Sequence, residues 1–75
     1  MKRLPALPSR KIIAVLERAG FAIVRIKGTH HFLQHRMDPA RQTVVSHHAK
    51  DLPPGTLKAI LKQADLTPEE FLELL

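Results

Sequence analysis

Ile12, Ile13, Leu16 and Ala19 recur at the spacing of one helix face, with Lys11, Glu17 and Arg18 off that stripe. The pattern predicts an amphipathic helix over residues 10–19. Ser9 stands where an N-cap belongs. Gly20 suits the position just past the last turn, with Phe21 placed to pack back on the helix end. From Phe21 the period changes. Phe21–Lys27 is rich in β-branched residues, Gly28-Thr29 makes a short turn, and His30–Arg36 is a second strand-like run. Met37-Asp38-Pro39-Ala40-Arg41 reads as a turn marked by Asp-Pro, and Gln42–His47 as a third strand. Phe32 and Leu33 are adjacent and both apolar, so alternation does not say which sheet face is buried.

Helical spacing returns after Pro53-Pro54-Gly55-Thr56, where proline is tolerated in a first turn. Leu57, Ile60, Leu61 and Ala64 follow the i, i+3, i+4, i+7 pattern, with Lys58 and Lys62 one turn apart on the outer side. Thr67-Pro68-Glu69-Glu70 reads as a capping box, and Leu66 with Phe71 as a hydrophobic staple. A terminal helix over residues 68–74 is expected to dock through Phe71, Leu72 and Leu75. Residues 1–8, with Pro5 and Pro8, form a short basic arm expected to be extended. The order is α-β-β-β-α plus a short C-terminal helix: an α+β fold with a three-stranded antiparallel meander. Two helices cover one sheet face and leave the other open.

A chain of 75 residues suits one domain, taken here as residues 1–75. Without cysteine it can build neither a disulfide framework nor a thiolate metal site. No long apolar run follows the basic start, so neither a signal peptide nor a membrane span is expected, and the chain reads as cytoplasmic. Charge sharpens the picture. Four of the 7 acidic residues (Asp65, Glu69, Glu70, Glu73) lie in the last eleven positions. Residues 1–64 hold 12 basic against 3 acidic side chains, a balance of +9. Such a field attracts polyanions, and phosphate neutralisation releases counterions without reading sequence.

The chain carries five histidines, His30, His31, His35, His47 and His48, all in the strand region. Metal binding is disfavoured, with convergence of His31, His47 and a third group in three dimensions the one route left open to it. Adjacent histidines on a strand diverge, His31 and His35 stand roughly 13 Å apart at strand rise, and no H-E-x-x-H motif or cysteine partner is present. Acid–base chemistry fits better, because imidazole exchanges protons near neutrality. RNA supplies its own nucleophile in the 2′-hydroxyl, and cations stabilise the charge that develops on phosphorus. Lys27, His30 and His48 at the strand ends offer such a set. Binding without chemistry is the third possibility, weakened by the scarcity of aromatics: three Phe, no Trp or Tyr. Ordinary polar strand positions suffice to explain His31, His35 and His47; for His30 the two readings are evenly matched on composition.

Several segments carry a family resemblance. Leu16-Glu17-Arg18-Ala19-Gly20-Phe21, followed by Val24-Arg25-Ile26-Lys27-Gly28-Thr29-His30-His31, resembles the HicA family, the toxins of HicAB toxin–antitoxin systems. Val44 to Leu52, Gly55-Thr56-Leu57-Lys58-Ala59-Ile60-Leu61-Lys62-Gln63-Ala64 and Pro68-Glu69-Glu70-Phe71-Leu72 extend the match in order along nearly the whole chain. The resemblance implies a double-stranded-RNA-binding-like fold and ribosome-independent cleavage of mRNA. It implies that the essential histidine is the one after Gly-[Ser/Thr], here His30. It also implies a HicB-like antitoxin that occludes the site and through which DNA is reached only indirectly. Thr29 stands where serine is common and keeps the hydroxyl. Ser46 stands where a Val-Pro-x-His pattern often has proline. His47 and His48 both compete for the later histidine, and the spacing to Lys50-Asp51-Leu52 favours His48.

The expectation is therefore a metal-independent endoribonuclease toxin needing no cofactor. His30 is the proton-transfer residue and His48 a second acid–base group or phosphate contact. Lys27, Thr29, Lys58 and Lys62 are expected to contact RNA, although solvated charge explains the last two as well. The rivals are a non-catalytic RNA-binding module of the same fold, and a partner-only protein that has kept the fold and lost the activity.

Overall fold

A computed structural model describes residues 3–48 and 50–75. Met1 and Lys2, which open the basic arm, and Ala49, in the stretch after the third strand, lie outside the described residues. The elements are α1 (Ser9–Arg18), β1 (Phe21–Lys27), β2 (His30–His35), β3 (Gln42–Ser46), α2 (Pro54–Ala64) and α3 (Pro68–Leu74). This is the α-β-β-β-α order of a double-stranded-RNA-binding-like fold, with a short helix added at the end.

The sheet is antiparallel in the order β1-β2-β3. Register settles what alternation left open. Phe21 and Ile23 stand opposite His35 and Leu33, and Leu33 stands opposite Thr43. These positions face the helices, as the burial of Phe21, Leu33, Thr43 and Val45 requires. The next residue along each strand faces the other way, so Phe32 lies on the open face while its neighbour Leu33 is core. A β-bulge at Val24 shifts the register between Ile23 and Arg25. The extra residue brings Arg25 and Lys27 onto the open face opposite Phe32 and His30. Arg25 stacks over the Phe32 ring at 5.6 Å.

The core joins Ile12, Ile13, Val15 and Leu16 of α1 to Leu57, Ile60, Leu61 and Ala64 of α2 and to the inner sheet face. Thr43 is buried, and its hydroxyl lies 3.1 Å from the Ile60 carbonyl and 3.0 Å from Gln63 Oε1, tying β3 to α2. The basic arm is extended where described: Leu7 pairs with Leu52 in an antiparallel bridge, and Leu4 and Leu7 pack on the core. Thr67 and Glu70 form the expected capping box. The Thr67 backbone and side-chain hydrogen bonds hold the Glu70 carboxyl below its ordinary range.

Three expectations change. The N-cap of α1 is Pro8, not Ser9, and among the described residues no side chain caps the helix. Ser9 is instead buried and turned toward the chain after β3, where its oxygen accepts the His48 N–H at 3.2 Å. That hydroxyl serves a distant backbone group rather than its own helix. The terminal helix docks through Phe71 and Leu74, three residues apart on one face, whereas Leu75 is 49% exposed. The second and third strands end one residue early, at His35 and Ser46. His35 Nδ1 accepts the Met37 N–H at 3.1 Å and closes the turn, and Ser9 captures the chain beyond His47.

Helix α2 ends on Asp65 in the left-handed region, φ 55°, ψ 44°. A β-carbon is disfavoured there. Replacing Asp65 with glycine is expected to stabilise the fold by about 0.5–1 kcal/mol, or roughly 2–8 °C in Tm. Thermal unfolding followed by circular dichroism checks this, and an unchanged or lower Tm would contradict it.

Candidate active site on the open sheet face

Lys27, His30 and Ser46 form a row across the three strands, because His30 is the register partner of both Lys27 and Ser46. Cross-strand partners share a face, and this is the open one. The His30 Nδ1 lies 3.2 Å from Ser46 Oγ. When the ring donates from Nδ1–H to that oxygen, the other nitrogen, Nε2, carries the free lone pair. Lys27 sits on the opposite flank at the end of β1, next to the tight turn in which Gly28 takes φ +58°. Both Lys27 and His30 are exposed, so a polymer has access to them.

Two hydrogen bonds bring the segment after β3 to this end of the sheet. The Thr29 carbonyl accepts the His47 N–H at 2.7 Å, and Ser9 holds the His48 backbone. The two later histidines then part. His47 lies on the helix side, with its Nδ1 3.3 Å from Ser9 Oγ and its ring 5.4 Å from that of His31. His48 shares with Ser46 a groove that runs beside β3 toward the start of α2. Alternation along an extended chain accounts for the division, since 46 and 48 fall on one side and 47 on the other.

The remaining predicted positions are scattered. Lys58 lines a different recess, with Leu4, Gly55 and Glu69 near the start of α3, away from the residues that line the His48 groove. Lys62, one turn further along α2, is exposed. Thr29 is exposed in the turn and contributes its carbonyl to the His47 contact. His35 packs edge-on against Phe21 at 5.1 Å, a structural position. Among the described residues no three His, Asp or Glu side chains are grouped to hold a metal ion. No helix among them is long and apolar enough to cross a membrane.

Sequence reasoning did not give Ser46 a role toward His30. The available signal was the strand register, which places 30 and 46 side by side once the turn lengths are known. Arg41 falls in the segment that reads as a turn. Its guanidinium caps the end of α2 through the Ala64 and Asp65 carbonyls, at 3.0 and 3.1 Å, and stacks on Phe21. No local pattern could reveal that contact.

The arrangement supplies an exposed imidazole with one nitrogen engaged, a cation beside it and a second imidazole on the next segment. That set can exchange protons next to a bound phosphodiester. Comparison with known families places residues 9–66, most of the chain, in the family described as HicA toxin of bacterial toxin-antitoxin. No curated protein matches the chain.

Proposed function

The chain belongs to the HicA toxin family of bacterial toxin–antitoxin systems, and we propose that it is a metal-independent endoribonuclease that cuts mRNA in the cytoplasm and is neutralised by a HicB-like antitoxin. The observation that carries this reading is the row Lys27–His30–Ser46 on the open sheet face. His30 Nε2 takes the proton of a ribose 2′-hydroxyl, and the oxygen attacks the adjacent phosphorus. Lys27 offsets the negative charge gained by the phosphoryl oxygens. The bond from phosphorus to the 5′-oxygen breaks, and His48, in its protonated form, or water returns a proton to that oxygen. The products are a 2′,3′-cyclic phosphate and a free 5′-hydroxyl. Thr29 contacts the RNA backbone beside the reacting centre, and Lys58 and Lys62, on α2 away from that row, meet only RNA that extends beyond it.

The test is cleavage of a short RNA by the purified chain in EDTA, beside the same RNA carrying 2′-deoxyribose at the scissile nucleotide. Cleavage of the first and not the second supports the mechanism. Cleavage of both removes the 2′-hydroxyl from it, and salt-sensitive binding with no cleavage of either makes the chain a binding module.

Ser46 acts here as a positioning residue, holding the ring tautomer that leaves Nε2 free. Ser46→Ala is expected to lower kcat roughly three- to tenfold, the worth of one hydrogen bond of about 0.5–1.5 kcal/mol. KM stays unchanged, and Ser46→Thr restores most of the rate. A loss carried by KM, or one that threonine does not restore, would show that Ser46 does something else.

A further inference from the structure

The groove beside β3 has a volume of about 550 Å³, within the range of small-molecule sites. Val44, Leu52 and Ile60 give it apolar walls, and His48, Lys50, Asp51 and Thr56 give it polar groups. It begins at Ser46, whose hydroxyl touches the His30 ring. We infer that this groove is a nucleobase subsite, holding a base next to the scissile phosphate and favouring bases that carry an amino group. The inference rests on the ribonuclease reading of His30 for its register along the strand.

Lys50 and Asp51 offset each other in the groove, so its apolar walls and hydrogen-bonding groups, not net charge, favour a base over a phosphate. The Asp51 carboxylate accepts hydrogen bonds from exocyclic amines. Cytosine, adenine and guanine each offer such an amine, whereas uracil offers a single ring N–H between two acceptors. The aliphatic walls suit the faces of a flat base, since bases drawn from a stack are held between apolar as well as aromatic side chains. Thr56, which can donate or accept, stands at the start of α2 on the other side of the groove from β3. The scarcity of aromatics therefore does not exclude base recognition in this fold.

Binding to uncleavable RNA tests the inference apart from catalysis. The full chain, with labelled methyl groups, is titrated with fully 2′-O-methylated oligouridine, and with the same oligomer carrying one A, C or G. The expected result is shifts at the methyls of Val44, Leu52 and Ile60, with an affinity about tenfold tighter for amino-bearing bases. Asp51→Asn, which keeps the shape and exchanges one acceptor for a donor, is expected to remove most of that preference. Methyl shifts that bypass the groove, equal affinity for uracil, or a preference untouched by Asp51→Asn would each overturn the inference. A groove that responds to the antitoxin and not to RNA would overturn it too. Base-selective binding by a chain that does not cleave would instead defeat the nuclease reading and leave the subsite standing.

Discussion

RNA cleavage by the His30→Ala chain is expected to fall by about 10²–10⁴-fold, the usual contribution of a positioned general base. The loss should lie in kcat, because the ring acts on a proton that moves only in the transition state, while lysines and arginines supply ground-state affinity. Stability should hardly change. His30 is exposed, and its side-chain partner Ser46 is half-buried at the sheet end and open to water. The mutant therefore separates chemistry from folding, and an unchanged Tm beside lost cleavage is the expected pair of results. Imidazole added to the buffer should restore part of the rate by filling the vacated space. Cleavage at the wild-type rate by a protein freed of contaminating nuclease would remove His30 from the mechanism and move the search to His48. The biological counterpart is growth arrest on expression of the wild-type chain, lost with His30→Ala.

Replacing Gly20 with alanine should have the largest effect on stability, about 2–5 kcal/mol. Two costs act together. Gly20 has φ +103°, a conformation that residues with a β-carbon rarely adopt. A β-carbon there would stand 2.8 Å from His35 Nε2. The imidazole has little room to yield, since its other nitrogen accepts the Met37 N–H and its edge packs against the buried Phe21. The Gly20 carbonyl also accepts the Arg36 N–H at 3.0 Å, so a shift of the turn would break the joint between α1 and the sheet. A domain of this size has a total stability of about 4–11 kcal/mol, so the variant should be largely unfolded at elevated temperature. Gly28→Ala is the control. It has positive φ, 58°, but nothing within 4 Å of the added carbon, so the loss should be only about 1–2 kcal/mol. Equal losses in the two variants would show that the contact with His35 costs nothing. Urea unfolding of both proteins measures the difference.

Much of the architecture was legible along the chain because its signals are local. The stripes on α1 and α2, the Gly20 stop, the two turns and the Thr67–Glu70 capping box each lie within a few residues, and all are present. Local signals fail where a polar side chain serves a distant partner. Ser9 has the chemistry of an N-cap, and nothing nearby in sequence reveals that the His48 N–H, 39 positions away, claims its oxygen. Arg41 likewise reads as a turn residue until α2 ends beside it.

The same division runs through the candidate site. Sequence by itself determined the basic field of residues 1–64, the supply of imidazoles and, by resemblance, the choice of His30, because charge count and motif spacing do not depend on packing. Tertiary structure alone decided the rest. It chose the open sheet face, since only the burial of Leu33, Thr43 and Val45 distinguishes the two faces of β2 and β3. The bulge at Val24 changed which β1 residues share that face, turning Arg25 and Lys27 toward it. Register set Ser46 against His30, and the parity of an extended segment sent His48 to the groove and His47 to Ser9. The physical reason is common to all of these. A strand has period two, so one inserted residue or one shifted pairing moves every later side chain to the other face, and only the closed core fixes that count.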